Sequence, residues 1–211
     1  MRVLHRGAES ILYIDAADGE KVLVKERVKK GYRISQIDDR LRKYRTRNEV
    51  RLMRAAQAAG VPTPRIIALD EASGKIMMEF IDGTRLKELI NSTDEKNLEE
   101  VCKEVGRLIG RLHANGIVHG DLTTSNMIVC KGKIYFIDFG LGSFSRRIED
   151  QGTDLCLLYE AIRATHFTVL NTCWQNIVKG YREEYKKAEE VLKRVEEIER
   201  RARYVDRKTE G

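Results

Sequence analysis

Proline is almost missing from this chain. Two residues in 211, Pro62 and Pro64, flank a single threonine. Elsewhere nothing forbids a continuous helix or strand, and Val61-Pro-Thr-Pro64 itself reads as an extended connection. Cysteine is equally sparse. Cys102, Cys130, Cys156 and Cys173 lie far apart with no C-x-x-C pair. That argues against a disulfide framework. All four are expected as buried small hydrophobes in a reducing cytoplasm. No apolar run approaches the roughly 20 residues that span a bilayer. The opening Met1-Arg-Val-Leu-His-Arg6 has no apolar signal core. A soluble cytoplasmic protein with no membrane partner is expected, and the length suits one domain or one two-lobed unit.

Charge is what the chain has in excess. Asp, Glu, Lys and Arg make up 34% of residues, against about 25% on average, and the net charge is +6. The excess is concentrated. Between Lys25 and Arg54 stand twelve basic and four acidic residues. Such a segment either binds nucleotide phosphates or RNA, or is a solvated helix face.

The periodicities give an order of elements. Ile11–Ile14 and Val22–Val24 flank the turn signal Asp18-Gly19 and predict a hairpin ending at Lys25. A helix is expected from about Asp38 to Ala59, with Leu41, Tyr44, Asn48, Leu52 and Ala55 on one face and Gly60 as its stop. Strands follow at 65–69 and 75–80. The clearest helix carries Leu98, Val101, Cys102, Val105, Leu108, Ile109 and Leu112, with Ser92-Thr-Asp-Glu95 as a capping box. After Gly142 the chain reads as helical, with one helix at 154–164 and one long helix from Gln175 to about Ala202. Strands first, then helices, indicates an α+β fold in two lobes: 1–81 as an N-terminal lobe of antiparallel sheet plus one helix, and 82–211 as a mostly helical C-terminal lobe.

The chemistry lies in His119-Gly-Asp121-Leu-Thr-Thr-Ser-Asn126 and, twelve residues on, Asp138-Phe-Gly140, with a short hairpin between. This is the spacing of the kinase catalytic loop and of the metal-binding D-F-G. Asp121 is the candidate base, able to orient a hydroxyl and take its proton. Asn126 and Asp138 offer hard oxygen ligands for Mg2+. His119 is expected to support the loop rather than react. Lys25, ending the apolar strand Val22-Leu-Val24, is the candidate grip on ATP phosphates, with Glu49 positioning it. A phosphate loop is weaker. Gly7, Ala8 and Glu9 occupy its place, in what is otherwise a plain surface turn. Met77-Met78-Glu79-Phe80-Ile81 resembles a kinase hinge, with backbone groups of Glu79 and Ile81 toward adenine, although the methionines also suit a strand core.

These residues together resemble the small atypical kinases of the PRPK family, the kinase subunits of the KEOPS complex. The resemblance rests on Gly7-Ala-Glu9, Lys25-x-Arg27-x-x-Lys-x-Tyr32-Arg33, Arg45-x-x-x-Glu49-x-Arg51-Leu52, His119-Gly-Asp121-Leu-Thr, Asp138-Phe-Gly-Leu-Gly142 and Glu149-Asp150-x-x-x-Asp154-Leu155. It implies a minimal kinase fold with a reduced C-terminal lobe, ATP and Mg2+ as cofactors, serine autophosphorylation, and ATPase activity tied to threonylcarbamoyladenosine modification of tRNA. It implies two protein partners, the threonylcarbamoyl-transferase subunit and a small regulatory subunit. The basic Lys25–Arg54 region and the Arg200–Lys208 tail are the candidate tRNA contacts.

Two departures from ordinary protein kinases stand out. No A-P-E follows Asp138, which leaves no room for a normal activation segment. Thr123 stands where H-R-D-L-K carries a lysine beside the γ-phosphate. Two alternatives stand beside this one: a RIO-like atypical kinase serving ribosome maturation, and a nucleotide-binding scaffold with little catalysis.

Overall fold

Strand β3 (Glu20–Arg27) sets the plan of the molecule by its alternation. Val22 and Val24 point to one face and pack with Tyr13 in a small apolar cluster. Leu23, Lys25 and Arg27 share the opposite face, which is the face of the site. The structure is a computed structural model. It describes residues 2–209 except Ala8, Asp18 and Arg33, with backbone alone from 202 onward. Around β3 lie β1 (Arg2–Arg6), β2 (Ser10–Ala17), β4 (Ile66–Asp70) and β5 (Lys75–Glu79), in the order β1-β2-β3-β5-β4, all antiparallel. The expected hairpin is present with Ala17 opposite Glu20, while its turn residue Asp18 lies outside the described residues. β1 was not expected. All five of its residues are exposed, so it carries no apolar signal to read.

Helix α1 (Ser35–Ala58) connects β3 to β4. Its end is as read: Gly60 sits at φ 78° and the Val61 amide reaches back to the Ala56 carbonyl. Its inner face is not. Leu41 and Tyr44 are exposed, and the buried set is Asp38, Thr46, Glu49, Val50, Leu52, Met53 and Ala56. A polar stretch is buried because it has partners: Asp38 accepts from Arg42, and Thr46 donates to the Arg42 carbonyl.

The remainder is mainly helical. After β6 (Thr84–Arg85) and α2 (Leu86–Ile90) comes α3 (Glu95–Ala114). Asp94 caps α3 by accepting from the Asn97 amide, so the cap lies two residues later than the Ser92 box. β7 (Ile117–Val118), β8 (Met127–Cys130), β9 (Lys133–Phe136) and β10 (Ser143–Phe144) are short, and α4 (Ile148–Thr165) follows. The β8–β9 turn, Lys131-Gly132, has both residues at positive φ, the tight form that suits strand twist. The expected single helix near the C-terminus is two, α5 (Leu170–Glu184) and α6 (Ala188–Thr209). Tyr185 breaks it. Its backbone is extended and its hydroxyl donates to Gln151. No proline or glycine marks that break; a tertiary contact wins over helical propensity. α3 and α5 cross at Gly106 and Gly180. A Cβ on either glycine would stand 1.9 Å from a carbonyl oxygen of the facing helix.

One apolar core joins the parts. Val50, Met53, Ile76 and Met78 belong to the same cluster as Leu108, Phe136, Phe139 and Leu158. The division proposed near residue 81 falls in the loop between β5 and β6. All four cysteines are free. Cys102 and Cys173 are buried, but Cys130 and Cys156 are only partly so, against expectation. Cys130 sits at a hairpin end, where its thiol donates to the Asp82 carbonyl. Among the described residues no helix is long and apolar enough to cross a membrane.

Candidate active site

Four charged side chains meet between the sheet and α1. The Lys25 ammonium lies 2.7 Å from Glu49 Oε1 and 2.7 Å from Asp138 Oδ1. Arg27, two residues along the same strand face, donates to Glu49 Oε2 at 2.5 Å. Burial opposes the charge on Lys25, yet Glu49 and Asp138 more than offset it and hold its pKa above the usual lysine value. Burial alone would raise the Asp138 carboxyl, but Lys25 beside it holds it below the usual range. Both groups therefore carry full charge at neutral pH. The sequence paired Lys25 with Glu49, and the structure brings them together. Arg27 appeared there only as part of a motif, although its two-residue step from Lys25 on a strand was the available signal.

The catalytic-loop segment leaves β7 at Val118 and enters β8 at Met127. It is held from behind by Asp154 of α4, buried at 1% exposure. Asp154 accepts from the His119 amide at 2.7 Å, the Gly120 amide at 2.8 Å and the His113 ring at 3.3 Å. The Tyr181 hydroxyl donates in turn to the other His113 nitrogen. Burial would raise the Asp154 carboxyl, but the His113 ring and the His119 amide that donate to it hold it below its usual value. His119 is the neutral strut expected of it. Desolvation lowers its pKa, Nε2 donates to the Ile137 carbonyl, and Nδ1 accepts from the Asp121 amide. Gly120 has φ 79°, and a Cβ there would stand 2.2 Å from the Leu141 carbonyl oxygen. Only glycine lets the loop lie this close to the segment after Asp138.

Asn126 donates to both the Asp121 carbonyl and its carboxylate, at 2.9 and 2.8 Å. That fixes the aspartate and leaves the Asn126 amide oxygen for other use. Asp138 adopts φ 62°, a strained setting for a non-glycine residue, and its side chain is 46% exposed. The Ile137 amide, bonded to the Asn126 carbonyl, ties the two candidate metal ligands together.

Two adjoining cavities share Lys25 and Asp138 as walls. The larger, about 240 Å³, is lined also by Leu12, Leu23, Met78, Asn126 and Ile137, and by His5, Pro64 and Arg85, to which the sequence assigned no site role. The smaller, about 190 Å³, adds Glu9, Arg27, Asp121 and Gly140. Met78 reaches the larger cavity; Glu79 and Ile81 do not line it, and the Glu79 amide is bonded to the Arg65 carbonyl. The Gly7 amide is turned onto the Ser10 carbonyl, so it closes its own turn. Ala8 lies outside the described residues. Glu9 is paired with Arg45.

The RIO domain family model matches residues 19–141. The KEOPS complex subunit Bud32 of Pyrococcus abyssi is 48% identical over 190 residues, covering 87% of this chain and 86% of that one. The chain belongs to the Bud32 family of RIO-domain proteins. A probable bifunctional tRNA threonylcarbamoyladenosine biosynthesis protein of Methanothermobacter thermautotrophicus is 43% identical over 179 residues, covering 85% of this chain and 32% of that one. The chain thus spans about a third of the bifunctional relatives and most of the P. abyssi Bud32. Two solved structures share the fold at low identity. WaaP in complex with acyl carrier protein superposes with TM-score 0.70, at 16% identity and covering 96% of this chain and 88% of that one. The Rio2 kinase of Chaetomium thermophilum, solved as an ADP/Mg2+-phosphoaspartate complex, gives 0.65 at 17%, covering 97% and 72%. The chain therefore has an α+β, two-lobed fold like that of the Rio2 kinase. The RIO domain match makes RIO proteins the wider family of the chain.

Proposed function

We propose that this Bud32-family chain is an ATP- and Mg2+-dependent serine/threonine kinase or ATPase working within a KEOPS-type complex in threonylcarbamoyladenosine modification of tRNA. The observation that carries the reading is the Lys25 ammonium, 2.7 Å from both Glu49 and Asp138, on the common wall of the two cavities. A nucleotide fits this donor set. Among the described residues there is no cluster of three His, Cys, Asp or Glu that would hold a metal alone. Magnesium arriving with phosphates needs only one or two protein carboxylates, which Asp138, with the Asn126 amide oxygen, would supply. Bound ATP brings the phosphoryl group, and bound magnesium the positive charge that offsets its oxygens.

The chain's own residues do the rest. Lys25, released from Asp138 and still held by Glu49, grips phosphate oxygens. Asp121, its carboxylate fixed by Asn126, orients the attacking hydroxyl or water and accepts its proton. Leu12, Leu23 and Met78 give the apolar lining a base requires; with the Glu79 amide bonded to Arg65, a hinge contact falls to the Glu79 carbonyl and the Ile81 backbone, beside that lining rather than in it. Only nine residues separate Asp138 from α4, and β10 occupies part of that span by pairing with β7. A peptide-docking segment of normal size has no room, which favours ATP hydrolysis or a restricted acceptor.

The partners in this reading are the transferase subunit, a small regulatory subunit and tRNA, in the cytoplasm. The tRNA contacts are then the Arg200–Lys208 end of α6, where Arg200 pairs with Glu196 and Arg201 with Glu149, and the basic 25–54 segment. There Lys25 and Arg27 are bound to Glu49, Arg42 to Asp38 and Asp39, Arg45 to Glu9, and Arg47 to Glu71. The test is ATP hydrolysis by wild type and Asp138→Ala, with and without the transferase subunit and tRNA. Hydrolysis that needs Asp138 and rises with both partners supports the reading. A wild type that binds ATP and never turns it over, alone or in the complex, is a nucleotide-gated scaffold instead.

A further inference from the structure

Arg27 is a second buried cation in the phosphate region, 7% exposed. One arm of its guanidinium holds Glu49 at 2.5 Å. Its Nε–H is buried and has no hydrogen-bond partner. The side chain lines the 190 Å³ cavity together with Asp121, Lys25, Asp138 and Gly140. Gly140 of the Asp-Phe-Gly turn lies against it: a Cβ on that glycine would stand 3.0 Å from Arg27 Nη2. The guanidinium therefore lies in the same chamber as the candidate base and the candidate metal carboxylate.

Position 123 adds the second argument. The catalytic loop carries threonine where protein kinases have a lysine beside the transferred phosphoryl group, so this chain lacks one cation there. We propose that Arg27 is a catalytic residue that supplies the missing charge, with its guanidinium donating to the terminal phosphoryl group of the nucleotide while its Nη2 stays on Glu49. An arginine suits this double duty because its planar fork presents five N–H donors, whereas a lysine is one point charge. Glu49 then positions two cations on one strand face, Lys25 for the inner phosphates and Arg27 for the terminal one. The step itself is the ordinary transfer: a hydroxyl or water oxygen bonds to the terminal phosphorus, the bridging P–O bond breaks, ADP leaves, and Asp121 takes the proton. This inference rests on the nucleotide reading above.

The experiment compares wild type, Arg27→Gln and Arg27→Lys for Mg2+-dependent ADP and ATP affinity by calorimetry, for single-turnover hydrolysis in the assembled complex, and for melting temperature. Arg27→Gln is expected to bind ADP within about twofold of wild type. Its ATP affinity should fall roughly ten- to a hundredfold, the worth of one hydrogen bond between charged groups. Hydrolysis should slow by about 10²–10³-fold. Arg27→Lys should fold and keep the Glu49 pair, yet lose the preference for ATP over ADP, because its one ammonium is engaged. Equal loss of ADP and ATP affinity in Arg27→Gln would mean that Arg27 acts only by holding Glu49, and overturns the proposal. If Arg27→Gln does not fold, Arg27→Lys decides: a wild-type ATP-to-ADP preference with wild-type turnover overturns it. Failure of the wild-type chain to bind ATP at all sinks the nucleotide reading itself, and this proposal with it.

Discussion

Replacing Asp154 by alanine removes the shared acceptor of three buried donors: the His119 amide, the Gly120 amide and the His113 ring. Each donor left unpaired in the interior costs about 1–3 kcal/mol. Partial relaxation and water entry bring the total to roughly 3–6 kcal/mol, similar to breaking a buried charged pair. For a chain of this size that lowers Tm by about 6–24 °C. Asp154→Asn is the sharper probe. Its one remaining oxygen can serve the His119 amide and His113, but the amide nitrogen then faces the Gly120 N–H, donor against donor. A loss of about 1–3 kcal/mol is expected, together with a fall in turnover, because Asp121 directly follows the disturbed Gly120. Calorimetric melting and ATP hydrolysis on both variants measure this. An alanine variant that melts within about 2 °C of wild type and turns over normally would refute the reasoning, since the loop would then not need its support.

Four other outcomes are expected. Asp121→Asn should keep its bond to Asn126 and its melting temperature while hydrolysis falls about 10²–10⁴-fold; wild-type turnover would remove Asp121 as the base. Gly120→Ala forces a Cβ onto the Leu141 carbonyl at positive φ and should cost at least about 1–3 kcal/mol, read as a lower urea midpoint. Burial depresses the His119 and His166 pKa below 6.5, so the unfolded chain binds protons there that the folded chain refuses. Stability should be flat between about pH 6.5 and 9 and fall as pH drops through 6.5, with Asp138 and Asp154 adding a further loss below about 3.8; urea midpoints that rise on acidification to pH 5.5 would contradict the sign. Truncation after Glu199 should weaken tRNA binding at low salt and flatten its salt dependence, while an unchanged slope would exclude the tail as a phosphate contact.

The sequence was most legible where spacing and chemistry coincide. Lys25, Glu49, Asp121, Asn126 and Asp138 were all readable before their geometry, because each has a residue type that phosphate transfer demands at a known interval. Helix α3 was readable from its apolar stripe. What escaped were features with no local signature. Asp154 works through groups 34–41 residues earlier, so nothing beside it discloses its role. Leu41 and Tyr44 share the helical period but point outward, because the inner face of α1 at that level is filled by paired polar groups. Tyr185 interrupts a helix for the sake of Gln151, a partner on another element. Burial of charge and long-range pairing are decided by the whole fold, not by a window of neighbours.

The core that runs without interruption from α1 and β5 into the helices has a mechanical meaning. The walls of the cleft between sheet and helices rest on the same apolar core. Heat or urea should melt both sides in a single transition, with the same midpoint from a probe at Trp174 and one introduced in the sheet. Opening the cleft widely would then draw on the free energy of folding itself, and ligand entry is left to side-chain and loop movements at the rim.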